Sequence, residues 1–134
     1  MKMKLITRNT DYAVRALVSM AEKGDSVTSV GELSGELKIP RPFLRKILQI
    51  LNKRGLLRSY KGKGGGFTLA RAPENIFLTE LIEIFQGPLR INECFIKKGL
   101  CHNVRTCILK GKIDEIERQV IKDLKSITIK SLND

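Results

Sequence analysis

The sequence predicts a mainly helical protein with a small β-hairpin wing: a winged helix-turn-helix followed by a long C-terminal helix. Before Gly55, three stretches space their apolar residues at helical intervals, and residues 38–40 form a short break between the second and third. Two short strand-like runs then flank a glycine-rich turn. At 134 residues the chain can form one core-bearing domain with an appended helix, but not two full-sized domains.

The first two helices are indicated by apolar spacing and by their end signals. Apolar side chains recur at helical spacing over residues 12–21, and Gly24 ends the run. Residues 29–32 fit a capping box, which would open a second helix. Leu33 and Leu37 lie one turn apart there and are expected to face the core.

Pro40 and Pro42 mark the expected start of the third helix, because proline is tolerated in the first turn of a helix. Its apolar stripe has i, i+3, i+4, i+7 spacing and comprises Leu44, Ile47, Leu48 and Leu51. On another face Arg41, Arg45 and Gln49 follow one another at intervals of four, with Lys46 and Lys53 beside them. The helix therefore combines a core side with a cationic side.

The rest of the chain is expected to contain a hairpin and two further helices. Strands over residues 56–60 and 67–70 enclose a basic, glycine-rich turn. A short helix is predicted from Thr79 to Phe85. One long terminal helix is predicted from the stripe Ile113, Ile116, Val120, Leu124 and Ile127. We divide the chain into a winged helix-turn-helix domain, residues 1–73, and a region with the cysteine loop and terminal helix, residues 74–134.

Charge is concentrated in one stretch. No acidic residue lies between Glu36 and Glu74, but ten of the 25 basic residues do. The remaining 15 basic residues face 14 acidic ones, so nearly all of the +11 net charge belongs to this stretch. A polyanion is the expected partner, because neutralised phosphates release counterions. The alternative is a basic face that is merely solvated.

The pattern within this stretch favours double-stranded DNA. A recognition helix buries one side and presents polar side chains to the major groove. Arg41, Arg45 and Gln49 are suited to base contacts, since arginine can bond guanine and glutamine can bond adenine. Phosphate contacts and close approach of the wing are expected from Lys46, Lys53, Lys61, Lys63, Gly64 and Gly65. A nucleotide-binding loop is disfavoured because no Gly-Lys-Ser/Thr occurs.

Other classes are disfavoured by what the sequence lacks. No apolar run approaches the length of a membrane span, and the N-terminal residues do not resemble a signal peptide, so we expect a cytoplasmic protein. With His102 as the sole histidine and no organised carboxylate pair beside the cysteines, we expect no enzyme.

Three cysteines, Cys94, Cys101 and Cys107, fall within 14 residues. Their odd number disfavours a closed disulfide framework. Thiolates suit zinc or an iron–sulfur cluster, and neighbouring basic residues would stabilise them. A zinc ion and an iron–sulfur cluster would each need a fourth ligand. The alternative is three unrelated small hydrophobic side chains.

Residues 10–17, the helix-turn-helix ending at Leu48, the wing over residues 61–67 and the cysteine triad together resemble the IscR/NsrR/CymR family of bacterial transcription regulators. The resemblance covers nearly the whole chain. It implies a homodimer joined through the terminal helix and bound to a palindromic operator. It also implies a two-iron or four-iron cluster on Cys94, Cys101 and Cys107.

The resemblance extends to a fourth ligand. Asp11 matches the acidic position that supplies this ligand from the partner subunit in nitric-oxide-sensing members. Lys110 replaces the histidine that other members place after the last cysteine, and Arg45 replaces a glutamate of IscR-like members. The expected function is a repressor that senses iron–sulfur status, nitric oxide or redox state. The alternatives are a thiol- or zinc-based regulator and one controlled by a docked metabolic enzyme.

Overall fold

The computed structural model describes residues 5–88 and 108–133, so the three cysteines lie outside the described residues. Within these ranges the chain forms six α-helices, one antiparallel hairpin and a short 3-10 turn at Pro73–Asn75. The elements are α1 (Arg8–Glu22), α2 (Val30–Leu37), α3 (Arg41–Lys53), β1 (Leu57–Tyr60), β2 (Gly66–Leu69), α4 (Leu78–Gln86), α5 (Ile108–Lys125) and α6 (Ile129–Asn133).

The bounds of α2 and the start of α3 follow from local sequence signals. Ser29 is the N-cap of α2, and its hydroxyl oxygen accepts the Glu32 N–H at 3.1 Å. Lys38 ends α2 in the left-handed region, with φ of 56°. Pro40 then precedes α3, and Pro42 lies in its first turn. The winged helix-turn-helix order is confirmed.

The hairpin pairs β1 with β2, with Leu57 opposite Leu69 and Tyr60 opposite Gly66. A third segment joins this ribbon: Thr28 and Phe67 exchange two backbone hydrogen bonds of 2.9 Å. Thr28, the residue before the N-cap of α2, therefore anchors the wing to the helix-turn-helix. This pairing was not predicted from the sequence.

One main core holds the helices and the hairpin together. The largest side chains that are fully enclosed include Leu17, Leu33, Leu44, Leu48, Leu51 and Leu56. Ile76, Leu81 and Ile129 join the same cluster from the C-terminal half. The predicted division at residue 73 separates two regions of different expected function, and it remains a prediction. The core itself is continuous across this position.

The terminal helix is confirmed, but it ends earlier than predicted. α5 ends at Lys125 instead of continuing through Ile127, and α6 begins after a turn. The turn is set by long-range pairing: the Leu78 N–H donates to the Ile127 carbonyl, and the Ile129 N–H donates to the Ile76 carbonyl. A new cap also starts α6, where the Ser131 N–H donates to the Thr128 hydroxyl oxygen at 3.1 Å. No helix in the described parts of the chain is long and apolar enough to cross a membrane.

The buried position of Ile129 predicts a large effect on stability. Ile129→Ala should lower the free energy of unfolding by about 2–5 kcal/mol, because Ile129 is 0% exposed and its loss leaves a cavity. Leu132→Ala, on the same helix but at a side chain that is 45% exposed, is the matched control and should cost less than about 1 kcal/mol. Urea unfolding followed by circular dichroism measures both. Equal losses would show that α6 does not anchor the core.

Candidate DNA-binding surface

α3 presents its cationic side to solvent because its apolar side is fully used by the core. Leu44, Ile47, Leu48 and Leu51 are 0–2% exposed. The five polar residues singled out on this helix are all exposed: Arg41, Arg45, Lys46, Gln49 and Lys53. The helix thus meets the requirement for a recognition helix, with one side packed and the other free to enter a groove.

Nine of the ten basic residues in the acid-free stretch are exposed and have no carboxylate partner among residues 5–88 and 108–133. We call them the basic surface: Lys38, Arg41, Arg45, Lys46, Lys53, Arg54, Arg58, Lys61 and Lys63. The tenth, Arg71, donates two hydrogen bonds of 2.8 Å to Glu80. These bonds raise the pKa of Arg71. Since the basic surface is not neutralised in this way, its field remains available to a polyanion.

Arg41 lies against α2. A Cβ placed on Gly31 would be 2.7 Å from Arg41 Nη2, so the guanidinium lies close to the first turn of α2 beside the backbone of Gly31. Arg45 and Gln49 lie one and two turns further along α3. Arg41 is therefore positioned at the junction of the two helices, and the other two lie further from it.

The wing tip carries exposed Lys61, Lys63 and Gly64, while Gly65 is half-buried. Gly64 has φ of +80° and open space around it, which suits close approach of a partner. At Gly65 a Cβ would collide with the Tyr60 carbonyl oxygen, so the lack of a side chain there is required by the hairpin itself.

Of the four proposed metal ligands, the structure describes Asp11 alone; Cys94, Cys101 and Cys107 lie outside the described residues. Asp11 is in the first turn of α1 with its side chain 46% exposed. Its Oδ2 accepts from Arg15 Nε at 3.0 Å, and its Oδ1 has no hydrogen bond within the described ranges. The carboxylate therefore has one oxygen to offer a metal. No cluster of three or more metal-binding side chains occurs among the described residues.

A hydrogen-bonded clasp joins the start of α1 to the end of α4. The Oε1 atom of Gln86 accepts from the Thr10 hydroxyl at 2.6 Å and from the Thr7 N–H at 2.9 Å. Gln86 Nε2 donates to the Leu5 carbonyl oxygen at 3.1 Å. Thr10 immediately precedes Asp11, and Gln86 lies eight residues before Cys94. The clasp thus fixes the helix end that bears Asp11 beside the end of α4.

The sequence interpretation missed the clasp at Thr10 and the pairing of Thr28 with Phe67. Thr10 occupies a fully buried position of α1, and a polar residue on an apolar face is a signal that a hydrogen-bond partner exists elsewhere. Val27 and Thr28 are a β-branched pair just before a helix cap, which is a weak strand signal.

Comparison with known proteins identifies the family. A family profile described as "Iron-dependent Transcriptional regulator", that of Rrf2, matches residues 6–134. The chain belongs to the Rrf2 family of transcriptional regulators. This membership confirms the resemblance drawn from the wing and the cysteines, and also the expectation of a DNA-binding regulator rather than an enzyme.

Relatives within the Rrf2 family agree along nearly the full length. The transcriptional regulator NsrR of Halalkalibacterium halodurans is 32% identical over 134 residues, which cover 95% of this chain and 88% of that protein. Among solved structures, CymR of B. subtilis superposes with a TM-score of 0.82 at 23% identity, covering 98% of this chain and 97% of that one. IscR of T. potens gives a TM-score of 0.73 at 23% identity, covering 95% and 84%. These structures support the winged-helix fold of this Rrf2 chain.

Gly66 in the wing and Gly35 in α2 make a testable contrast. Gly66→Ala should lower the free energy of unfolding by about 2 kcal/mol or more, because its Cβ would collide with the Thr28 carbonyl oxygen and separate the wing from α2. Gly35→Ala is the matched control: Gly35 lies inside α2 with open space around it, and alanine should stabilise the protein by about 0.5–1 kcal/mol. Urea unfolding measures both. A neutral Gly66→Ala would contradict the close Thr28 contact.

Proposed function

We propose that this Rrf2 regulator acts in the cytoplasm as a homodimeric repressor that binds a palindromic double-stranded DNA operator through α3 and the wing. The observation that carries the proposal is the basic surface, whose nine cationic side chains are exposed and lack carboxylate partners within the described ranges. Phosphates would pair with these cations without first displacing an internal partner.

The residues of the basic surface take different roles in this proposal. Arg45 and Gln49 contact base edges in the major groove, because they lie on the solvent side of α3 and carry bidentate groups. Arg41 joins them from the side next to α2. Lys46 and Lys53 contact phosphates, which set the register of the helix. Lys61 and Lys63, with the open backbone at Gly64 and Gly65, bring the wing to the adjacent phosphates.

The dimer is proposed from α5. Ile108, Leu109 and Ile116 are 80%, 71% and 53% exposed, which is unusual for large apolar side chains grouped on one helix. A second α5 would cover them. Two copies of α3 would then face half-sites about one duplex turn apart, so the α5 contact sets the spacing to which affinity is sensitive.

The sensor is proposed to be an iron–sulfur cluster held by Cys94, Cys101 and Cys107, with Asp11 of the partner subunit as fourth ligand. The Asp11 carboxylate fits this role because its Oδ1 is free while Oδ2 is held by Arg15. A bound cluster supplies iron that reacts with nitric oxide or oxidants. Asp11 and the Gln86 clasp would hold the start of α1 in a position that depends on ligation, and through the α1 core would set the placement of α3.

A thiol-based sensor without a cluster is the second candidate. It is favoured by the names of two solved structures. The one of TM-score 0.82 is named as the global cysteine regulator of B. subtilis. A further solved structure with a TM-score of 0.68 is an oxidized form of CymR from Staphylococcus aureus. Such a sensor would use the same cysteines, bind zinc or no metal, and could act with a regulatory protein partner.

The roles proposed for Arg45 and Lys63 predict different losses of DNA affinity when either residue is replaced by alanine. Arg45→Ala should relax sequence choice by about 1–3 kcal/mol at one base pair, because a base contact is removed. Lys63→Ala should weaken all duplexes alike and flatten the salt dependence, because a phosphate contact is removed. Fluorescence anisotropy at several salt concentrations, with duplexes selected by the wild-type protein from a randomised pool, measures both. Glu117→Gln on α5 is the control outside the basic surface.

If Arg45→Ala and Lys63→Ala lose the same affinity on every duplex, the assigned roles are wrong. If the wild-type protein binds no duplex at low salt, with or without metal, the DNA surface itself is wrong.

The cluster proposal predicts a coloured protein. After anaerobic purification the wild type should show visible absorption and contain iron, and Cys107→Ser should lose both. Asp11→Asn should retain absorption but lose it faster on exposure to nitric oxide, since an amide is a weaker ligand than a carboxylate. Asp123→Asn, an exposed acid on α5, is the control. A colourless wild type whose DNA affinity still responds to thiol oxidants would instead support the second candidate.

A further inference from the structure

Phe43 is an exposed aromatic side chain on α3, the most cationic of the described helices. It lies in the first turn of α3, two residues after Arg41, and its side chain is 52% exposed. It belongs to neither buried cluster of the described residues, nor to the partly buried side chains packed against them. The core of the free subunit therefore does not account for an aromatic residue at this position.

The position of Phe43 on α3 limits the kinds of surface that could cover its side chain. At 3.6 residues per turn, Phe43 and Arg45 flank the outward face of α3 on opposite sides. Lys46, three residues after Phe43, is its neighbour on the helix surface, and it is exposed without a carboxylate partner among the described residues. A protein surface apolar enough to cover Phe43 would also meet the cation of the adjacent Lys46, whereas a duplex groove is bordered by phosphates.

The major groove offers one apolar feature, the C5-methyl group of thymine. The N-terminal part of a recognition helix is the part that reaches base edges. We infer that Phe43 packs on the C5-methyl group of a thymine and thereby determines part of the operator sequence. The inference rests on the proposed DNA surface and deepens it, because Phe43 recognises by shape and apolar contact where Arg45 and Gln49 recognise by hydrogen bonds.

Ile50 provides a matched control. It lies seven residues after Phe43, on the same edge of α3, and is 38% exposed. It lies two turns further from the N-terminus, and its branched side chain is shorter than that of the neighbouring Gln49, so it should not reach the base edges. Ile50→Ala therefore removes a comparable exposed apolar side chain without the thymine contact.

The test uses the full chain and a duplex selected by the wild-type protein from a randomised pool. Each thymine of that duplex is replaced in turn by deoxyuridine, which removes only the methyl group. Affinities are measured by fluorescence anisotropy for the wild type, Phe43→Ala and Ile50→Ala. For the wild type, uracil at one thymine, or at a symmetry-related pair, should weaken binding about three- to sixfold per methyl group.

The same uracil substitution should change the affinity of Phe43→Ala by less than about twofold, because its partner side chain is already absent. Ile50→Ala should respond to uracil as the wild type does. Circular dichroism and size-exclusion chromatography should show all three proteins with the same fold and oligomeric state.

Two results would overturn the inference while leaving the DNA surface intact. One is that no thymine methyl group affects the wild type more than it affects Phe43→Ala. The other is an altered oligomeric state of Phe43→Ala, which would place Phe43 in a protein interface. Failure of the wild type to select any duplex would instead overturn the proposed DNA surface and this inference with it.

Discussion

The packing of one side of α3 is the constraint on which the rest of the structure depends. Leu44, Leu48 and Leu51 are fully buried against the other helices, which fixes the rotation of α3 about its own axis. With that rotation set, the basic and amide side chains can only point outward. The apolar stripe and the cationic side of α3 are therefore coupled, since a rotation of the helix would move both.

The wing is held in relation to α3 by two backbone attachments. The Leu56 N–H, at the base of the hairpin, donates to the Leu51 carbonyl of α3 at 3.0 Å, and Phe67 pairs with Thr28 just before the N-cap of α2. The hairpin thus cannot swing independently of the helix-turn-helix. A fixed wing lets its lysines add to the field of α3 along one surface, which is what a rigid duplex requires.

The features that could be predicted from the sequence are those set by local chemistry. The spacing of Leu44 to Leu51, the cap at Ser29 and the glycines of the wing each specify an element from a few neighbouring residues. The end of α5 and the Thr28 pairing could not be predicted in this way. Both depend on backbone groups distant in the chain, such as the Ile76 carbonyl that accepts the Ile129 N–H. Long-range pairing overrides a helical pattern that looks continuous through Ile127.

The same distinction between local and long-range determinants applies to the residues of the candidate sites. Exposed charges on a periodic helix were predictable, because burial of the apolar stripe dictates them. Gln86 was not, since nothing near it in the sequence indicates that its amide meets Thr7 and Thr10, 79 and 76 residues away.

In the proposed sensor, the clasp would bear on how a signal at Asp11 reaches DNA. α1 carries Asp11 at its start and packs Ala13, Ala16 and Leu17 into the core shared with α3. A change in the ligation of Asp11 would act at the clasped end of a helix that already contacts the DNA-binding elements. Because packed cores shift between discrete arrangements rather than deforming smoothly, a small displacement of α1 would move α3 as a unit. The route from sensor to recognition helix then needs no element beyond α1 itself.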